Sequence, residues 1–328
     1  MKTILVTGGA GYIGSHVCKA LFQAGYRPVV YDDLSRGHAW AVKWGPLELG
    51  SLGDRQRLSE VFQRYRPWAV IHLAAFAYVG ESVQAPLRYW SNNVGGSIQL
   101  LEAMREAGTE KIVFSSTCSV YGDFQPQPLT ETLDLRPSSP YGMSKLTVER
   151  MLGDCWSAFG LSSVALRYFN AAGADPDGEI GEAHDPEPHL IPIILSTAAG
   201  LRDELVINGD DYPTPDGTCV RDFIHVSDIA NAHIASLRYL ETEKGHLALN
   251  LGNGAGFSVR EVIETAMAVT KLPISVRVGP RRAGDPPIAV GDASRAKELL
   301  GWKPRFPGLD QQVAHAWAWM NRKAEDVG

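Results

Sequence analysis

Tyr141 and Lys145 stand four residues apart in the stretch S-P-Y-G-M-S-K-L-T-V-E-R, residues 139–150. Pro140 fixes the backbone ahead of a run with helical spacing, in which Leu146, Met151 and Leu152 can face a core. On a helix starting there, residues four apart share a face, so the phenol and the ammonium are neighbours. A phenol titrates near ~10 in water, too high for a base at neutral pH. A neighbouring ammonium favours the phenolate and lowers that value, which makes the pair an acid/base unit. Alone, such a spacing is more often an exposed tyrosine and lysine on a solvated face. Its meaning depends on what the rest of the chain places beside it.

A second set of residues suits a phosphate. The short β-rich run Thr3–Thr7 stops at Gly8-Gly9-Ala10-Gly11-Tyr12-Ile13-Gly14, and a helical pattern with the apolar stripe Ile13, Val17, Leu21 and Phe22 follows. Strand, glycine loop and helix together predict a dinucleotide site. Glycines let the backbone approach a pyrophosphate, and the helix N-terminus offers free N–H groups and a positive dipole end. The next strand, 28–31, ends in Asp32-Asp33. Asp32 would accept hydrogen bonds from the adenosine ribose hydroxyls and repel a 2′-phosphate, so NAD is expected rather than NADP. Arg36 is a mild counter-signal, because an arginine can hold that phosphate.

The elements that must position these groups follow from the order of apolar runs. A fourth strand ends at His72, which is expected to be a satisfied structural histidine. A fifth, 111–116, opens into Ser116-Thr117-Cys118-Ser119, and a sixth, 163–169, ends at Asn170-Ala171-Ala172-Gly173. Alternating β and α runs predict an α/β fold: a doubly wound parallel sheet (Rossmann) with a smaller α+β lobe for substrate. After residue 172 the texture shifts to proline, glycine and acid. The expected division is therefore 1–172 for the dinucleotide domain and 173–328 for the lobe, with 226–240 returning to the first domain.

Bulk properties narrow the classes. The chain has 328 residues, 45% hydrophobic and 21% charged, an ordinary globular composition. A net charge of -6 argues against nucleic acid as a partner, since phosphate backbones want a basic face. Cys18, Cys118, Cys155 and Cys219 have neither disulfide nor metal spacing, so reduced thiols, no metal and a cytoplasmic location are expected. No apolar run approaches the length of a membrane span.

The spacing Gly8-x-x-Gly11-x-x-Gly14, followed by Tyr141-x-x-x-Lys145, resembles the extended short-chain dehydrogenase/reductase family over nearly the whole chain. Within it, Asp216-Gly217-Thr218-Cys219-Val220-Arg221-Asp222-Phe223-Ile224-His225-Val226 is similar to the D-G-T-x-V-R-D-x-I-H-V signature of its UDP-sugar 4-epimerases, those of hexoses and those of pentoses alike. Arg281-Arg282-Ala283-Gly284-Asp285 matches their R-R-x-G-D. The resemblance implies a bound NAD, a UDP-hexose substrate and a homodimer built on helices 87–107 and 141–159. In the glucose/galactose pair the sugar's 4-hydroxyl would be oxidised to a 4-keto intermediate and reduced on the opposite face. Tyr141 would move the proton, Thr117 would align the hydroxyl, and Lys145 would hold the nicotinamide ribose. Sugar-nucleotide dehydratases of the family carry an Asp-Glu pair beside that Thr. Cys118-Ser119 stands there instead, which disfavours elimination.

The remaining contacts are likewise implied by the resemblance. On the cofactor side they are Tyr12, Ile13, Asp33, Ser35, Ser51 and Leu52, then Leu73, Ala74, Ala75, Asn92 (or Asn93), Ser115, Tyr168 and Phe169. On the substrate side Arg221 and Arg282 would grip the diphosphate and Asp285 would approach the uridine ribose. Asn170, His189, Leu190, Val206, Asn208 and Ala289 would complete that wall. Three positions depart from the best-known members. Ser51 replaces a frequent acid at the adenine, Ala77 a frequent lysine, and Asn208 a frequent aromatic under the uracil. Ala289 is bulky in some relatives, and a small residue there leaves room for a 2-N-acetyl group. The catalytic set does not separate hexose from pentose substrates, and an ordinary dehydrogenase releasing NADH would share the Tyr/Lys pair.

Overall fold

The computed structural model describes residues 1–123, 125–282 and 284–327. The first half alternates as expected: β1 (Thr3–Thr7), α1 (Tyr12–Gln23), β2 (Arg27–Asp32), β3 (Leu47–Leu49), α2 (Arg55–Tyr65) and β4 (Ala69–His72). Two short helices follow, α3 (Val79–Gln84) and α4 (Pro86–Tyr89), and a π-helical turn Trp90–Gly95 leads into α5 (Gly96–Ala107). Next come β5 (Lys111–Thr117), α6 (Pro140–Phe159), β6 (Ser162–Tyr168) and β7 (Asn170–Ala172). The second half holds α7 (Leu190–Ala198), β8 (Leu205–Asn208), β9 (Val220–His225), α8 (Val226–Thr242), β10 (His246–Leu251) and β11 (Gly256–Ser258). It ends with α9 (Val259–Thr270), β12 (Val276–Gly279), β13 (Ile288–Ala289), α10 (Ser294–Leu300) and α11 (Leu309–Val327).

Seven strands form one parallel sheet in the order β3-β2-β1-β4-β5-β6-β10. The order reverses between β1 and β4, the switch point where open α/β sheets bind ligands. Strands covered on both faces read as nearly continuous apolar runs. Accordingly Ile4, Val6, Val30 and Ile71 pack beneath α1 and α8, while Leu5, Val29, Val70 and Phe114 pack beneath α2, α5 and α6. A smaller sheet sets β7, β11 and β13 around β9, and β8 pairs with β12. Ile194, Leu195, Phe223, Val262 and Val313 form that lobe's core. The chain crosses back through α8, which packs on α1, and through β10, which extends the large sheet beside β6. The return thus runs through β10, past the expected 226–240. We propose the division at residue 172 with this longer return.

One apolar stripe and one helical run differ from expectation. Val17 and Leu21 are fully buried, but Phe22 is 57% exposed. It lies one position past Leu21, about 100° further round the helix. The run 87–107 is three segments, not one helix. Leu101 and Met104 of α5 are buried, whereas Leu87 of α4 is 80% exposed, because the wider π turn between them breaks the 3.6-residue register. No helix among the described residues is long and apolar enough to cross a membrane.

Candidate active site

One cavity of about 1260 Å³ runs from the glycine loop, over the ends of β4, β5 and β6, to the smaller lobe. β1 delivers the loop at its base. Gly8 has φ +73°, and a Cβ there would stand 2.6 Å from Ala74 N; one on Gly14 would stand 2.0 Å from Gly8 O. These positions exclude side chains and leave the backbone bare toward the cavity. α1 has no side-chain cap on its first turn, since Gly11 holds the cap position, so its leading N–H groups face the cavity without a built-in acceptor. That cradle suits a pyrophosphate, and Tyr12, Ile13 and Gly14 line it.

At the end of β2, burial raises the pKa of the Asp32 carboxyl above the usual carboxylate range. Its oxygens accept from Ala10 N at 3.0 Å and Leu34 N at 2.9 Å, which partly offsets the cost. Asp33 accepts from Ser35 N at 2.9 Å, and Asp32, Asp33 and Ser35 all line the cavity. Arg36 is engaged by Glu81 at 3.1 Å and lies over the Tyr78 ring. Its charge is thereby balanced, which removes the signal for a 2′-phosphate. Leu52 lines the cavity. Ser51 does not: its carbonyl accepts from the Tyr31 hydroxyl at 2.8 Å and its side chain turns to Gly53 N. Leu73, Ala74 and Ala75 line the middle of the wall, with Asn92 on the π turn. Asn93 is instead buried in the scaffold, bridging Phe76 and Ser144, so Asn92 is the asparagine that faces the cavity. His72 is buried between Thr7 Oγ1 at 2.7 Å and Ser97 Oγ at 2.9 Å, and burial pulls it down to about 3.

The candidate reactive groups come from β5 and α6. Ser139 caps α6 by accepting from Gly142 N at 3.1 Å, and Pro140 occupies its first turn. This capped start aims Tyr141 and Lys145 at the cavity, opposite Thr117 at the end of β5. Thr117 Oγ1 accepts from Ser119 N at 3.1 Å and donates to Ser119 Oγ at 3.2 Å, and its nearness to Tyr141 favours the phenolate slightly. Lys145 Nζ donates to Ser115 O at 2.7 Å and lies 4.9 Å from the Phe114 ring centroid. Ser115 and Tyr168 are joined by their hydroxyls.

The expected acidification of Tyr141 is not present in the chain alone. Burial pushes Tyr141 up to about 12, against a smaller lowering from Thr117. Burial also pulls Lys145 down to about 7, with Glu149 opposing. A lysine that sheds its proton near neutrality cannot lend a full charge to the phenol, so desolvation overrides the neighbour effect. Burial holds the Cys118 thiol at about 11, unfit for acid/base work at neutral pH.

On the lobe side, Phe169, Asn170, Leu190, Val206, Asn208 and Ala289 line the cavity, as do His189, Arg221, Arg282 and Asp285. Asp285 is bound to Arg221 at 2.9 Å, so the two act as a pair. Of the adjacent arginines, Arg282 faces the cavity while Arg281 turns to Asp211 and the Tyr212 ring. Several lining residues had no motif to reveal them: Phe76, Tyr78, Glu81, Glu182 and His184. The last two lie in the acid- and proline-rich run, whose regular alternation of Glu and His was the available signal.

Residues 4–252 match the model of the NAD dependent epimerase/dehydratase family. A UDP-glucose 4-epimerase of Halalkalibacterium halodurans is 48% identical over 316 residues, covering 96% of this chain and 95% of that protein. A crystal structure of UDP-glucose 4-epimerase from Brucella ovis in complex with NAD is 50% identical, with a TM-score of 0.94 over 97% of this chain and 98% of that one. The Bifidobacterium longum enzyme in complex with NAD+ and UDP is 36% identical, with a TM-score of 0.94 over 98% of this chain and 99% of that one. The chain belongs to the NAD-dependent epimerase/dehydratase family.

Proposed function

We propose that this protein is an NAD-dependent UDP-glucose 4-epimerase, interconverting UDP-glucose and UDP-galactose through a 4-keto sugar. The observation that carries the reading is that Thr117, Tyr141 and Lys145 open on the same cavity as Arg221 and Arg282. A redox pair and a diphosphate anchor therefore serve one ligand space. The relatives named above support the glucose/galactose pair over a pentose and over a dehydrogenase.

The residues that would hold NAD are Gly8, Gly11 and Gly14 with the free start of α1 at the pyrophosphate, Asp32 at the adenosine ribose, and Lys145 at the nicotinamide ribose. Bound there, the cofactor supplies reversible two-electron oxidation at the sugar carbon and a positive ring beside the phenol. Tyr141 takes the proton from the 4-hydroxyl and returns it after the keto sugar has turned. Thr117 keeps that hydroxyl in line. Arg221 and Arg282 hold the diphosphate bidentately, so the remote group stays fixed while the hexose changes face. Small side chains at Ala75 and Ala289 leave the hexose room to rotate.

We read the assembly as a cytoplasmic homodimer. The free state of all four cysteines supports the compartment, and the exposed apolar side chains Val83, Leu87, Ile98 and Met143 on α3 to α6 support the dimer. Incubation with UDP-glucose, UDP-N-acetylglucosamine, UDP-xylose and UDP-arabinose, with the products resolved, tests the substrate. UDP-galactose from UDP-glucose at the highest rate is expected; preferential turnover of a pentose would overturn the hexose reading. Ala289→Tyr should reduce turnover of the N-acetylated sugar more than that of UDP-glucose. Equal activity toward the N-acetylated sugar in both proteins would remove the role given to Ala289.

A further inference from the structure

Between β7 and α7 the chain carries Glu182, His184, Glu187 and His189 in the spacing E-x-H-x-x-E-x-H. The segment is fastened on both sides. His38 Nε2 meets Ala183 O at 2.6 Å, and Trp319 Nε1 donates to Glu182 O at 2.9 Å. The ring of Tyr12, from the glycine loop, stands edge-on to His184 at 6.3 Å. Within this frame the four side chains converge, each presenting one ligand atom within 4.8 Å of the others.

We propose that Glu182, His184, Glu187 and His189 bind a divalent transition-metal ion of the zinc class, which fastens this segment at the rim of the cavity. Both imidazoles turn the same nitrogen, Nδ1, toward the carboxylates. His189 Nδ1 lies 2.7 Å from Glu182 Oε1 and 2.7 Å from Glu187 Oε1. His184 Nδ1 lies 2.9 Å from Glu182 Oε1 and 3.5 Å from Glu187 Oε2. A single N–H cannot donate well to two carboxylate oxygens, whereas a cation at the centre satisfies all four groups. Tetrahedral zinc with bonds of about 2.0–2.1 Å sets its ligand atoms about 3.3 Å apart, within the spread of these spacings. Two carboxylates balance the ion's charge. The mixed imidazole and carboxylate set suits zinc and its neighbours, whereas magnesium and calcium take oxygen alone.

Two further observations favour this cluster as the metal site. The other convergence of acids, Asp175, Asp177 and Glu179, is already filled by the Lys19 ammonium at 2.7 Å from each. The Tyr78 ring stands 6.0 Å from both His184 and His189, and its buried hydroxyl has no hydrogen-bond partner among the described residues. A carboxylate that gives one oxygen to the ion keeps a second oxygen as acceptor, a group of the kind that hydroxyl lacks. With His189 Nδ1 on the metal, its Nε2 remains for the substrate side of the cavity.

The test uses the full chain and does not depend on the sugar chemistry. The purified protein is loaded with zinc chloride, dialysed exhaustively, and analysed for metal by mass spectrometry. A cobalt-loaded sample is examined for the visible absorption of four-coordinate Co²⁺ with nitrogen ligands. The expected result is about one zinc per chain, a four-coordinate cobalt spectrum, and a thermal midpoint that falls when a chelator is added. His184→Ala combined with Glu187→Gln should retain no zinc. Zinc retained equally by that variant, or a wild type that keeps none and melts identically with and without chelator, overturns the proposal. If the variant does not fold, the wild-type cobalt spectrum decides: its absence is likewise fatal.

Discussion

Burial holds the Tyr141 hydroxyl at about 12 and lets Lys145 lose its proton near 7, so the chain without cofactor keeps its central phenol neutral. On the proposed reading, the residue would become a base only when further positive charge stands beside it, which would couple proton transfer to a filled site. Tyr141→Phe should therefore reduce epimerisation by roughly 10²–10⁴-fold, the usual worth of a positioned proton-transfer group, with NAD content little changed. A coupled assay with cofactor content measured on the same sample checks both halves. Arg221→Ala should weaken substrate binding on the order of ten- to a hundredfold, as expected for one charge-assisted contact, and chiefly raise KM. It also releases Asp285 from its 2.9 Å pairing, which adds to the loss. Gly14→Ala places a methyl 2.0 Å from Gly8 O, so NAD content after purification should fall sharply.

A buried network sets α6 against the strands that face it. Glu149, one turn beyond Lys145, is bound by Arg167 of β6, with Nε to Oε1 at 2.9 Å, and by Ser116 of β5. Arg167 also donates to the Tyr121 hydroxyl at 3.0 Å, which donates to Asn250 of β10 at 2.7 Å. Both members of the ion pair are about 95% buried, so removing one leaves an unpaired buried charge. Arg167→Met should cost about 3–5 kcal/mol in urea unfolding, whereas Arg167→Met with Glu149→Met should recover much of that loss. Element by element, the sequence was most legible where function needs a fixed local spacing. The glycine loop, the Tyr-x-x-x-Lys helix and the two arginine motifs each lie within one short run. What it concealed depends on the third dimension. The π turn that displaces Leu87 has no residue signature. The pairing of Asp285 with Arg221 joins the loop before β13 to β9 across 64 positions of sequence, and the turning of Ser51 away from the cavity is set by Tyr31. The Glu/His cluster was visible as spacing but meaningless until the chain brought its four side chains together.

Across the whole molecule, burial leaves four histidines neutral. It pulls His16 to about 4, His72 to about 3, His225 to about 3 and His233 to about 4. An unfolded histidine titrates near ~6.5, so below that pH the unfolded chain binds protons that the folded one refuses. Stability is then fully present above about 6.5 and is lost as pH falls toward the folded values. The thermal midpoint should drop progressively between about pH 6.5 and 4, and His233→Leu should flatten that decline relative to its own value at pH 7.5. On the proposed reading, the lobe would grip the nucleotide tightly while a reactive set stands on the large sheet, which is what an inversion without release requires. The most direct test of that account follows purified protein, saturated with NAD and given UDP-galactose as its only sugar, for nucleotide-sugar products and for reduced nicotinamide in the same reaction. UDP-glucose should form until the two sugars reach a constant ratio, with no accumulation of NADH. A stable oxidised sugar appearing in step with NADH, or no UDP-glucose at all, would contradict it.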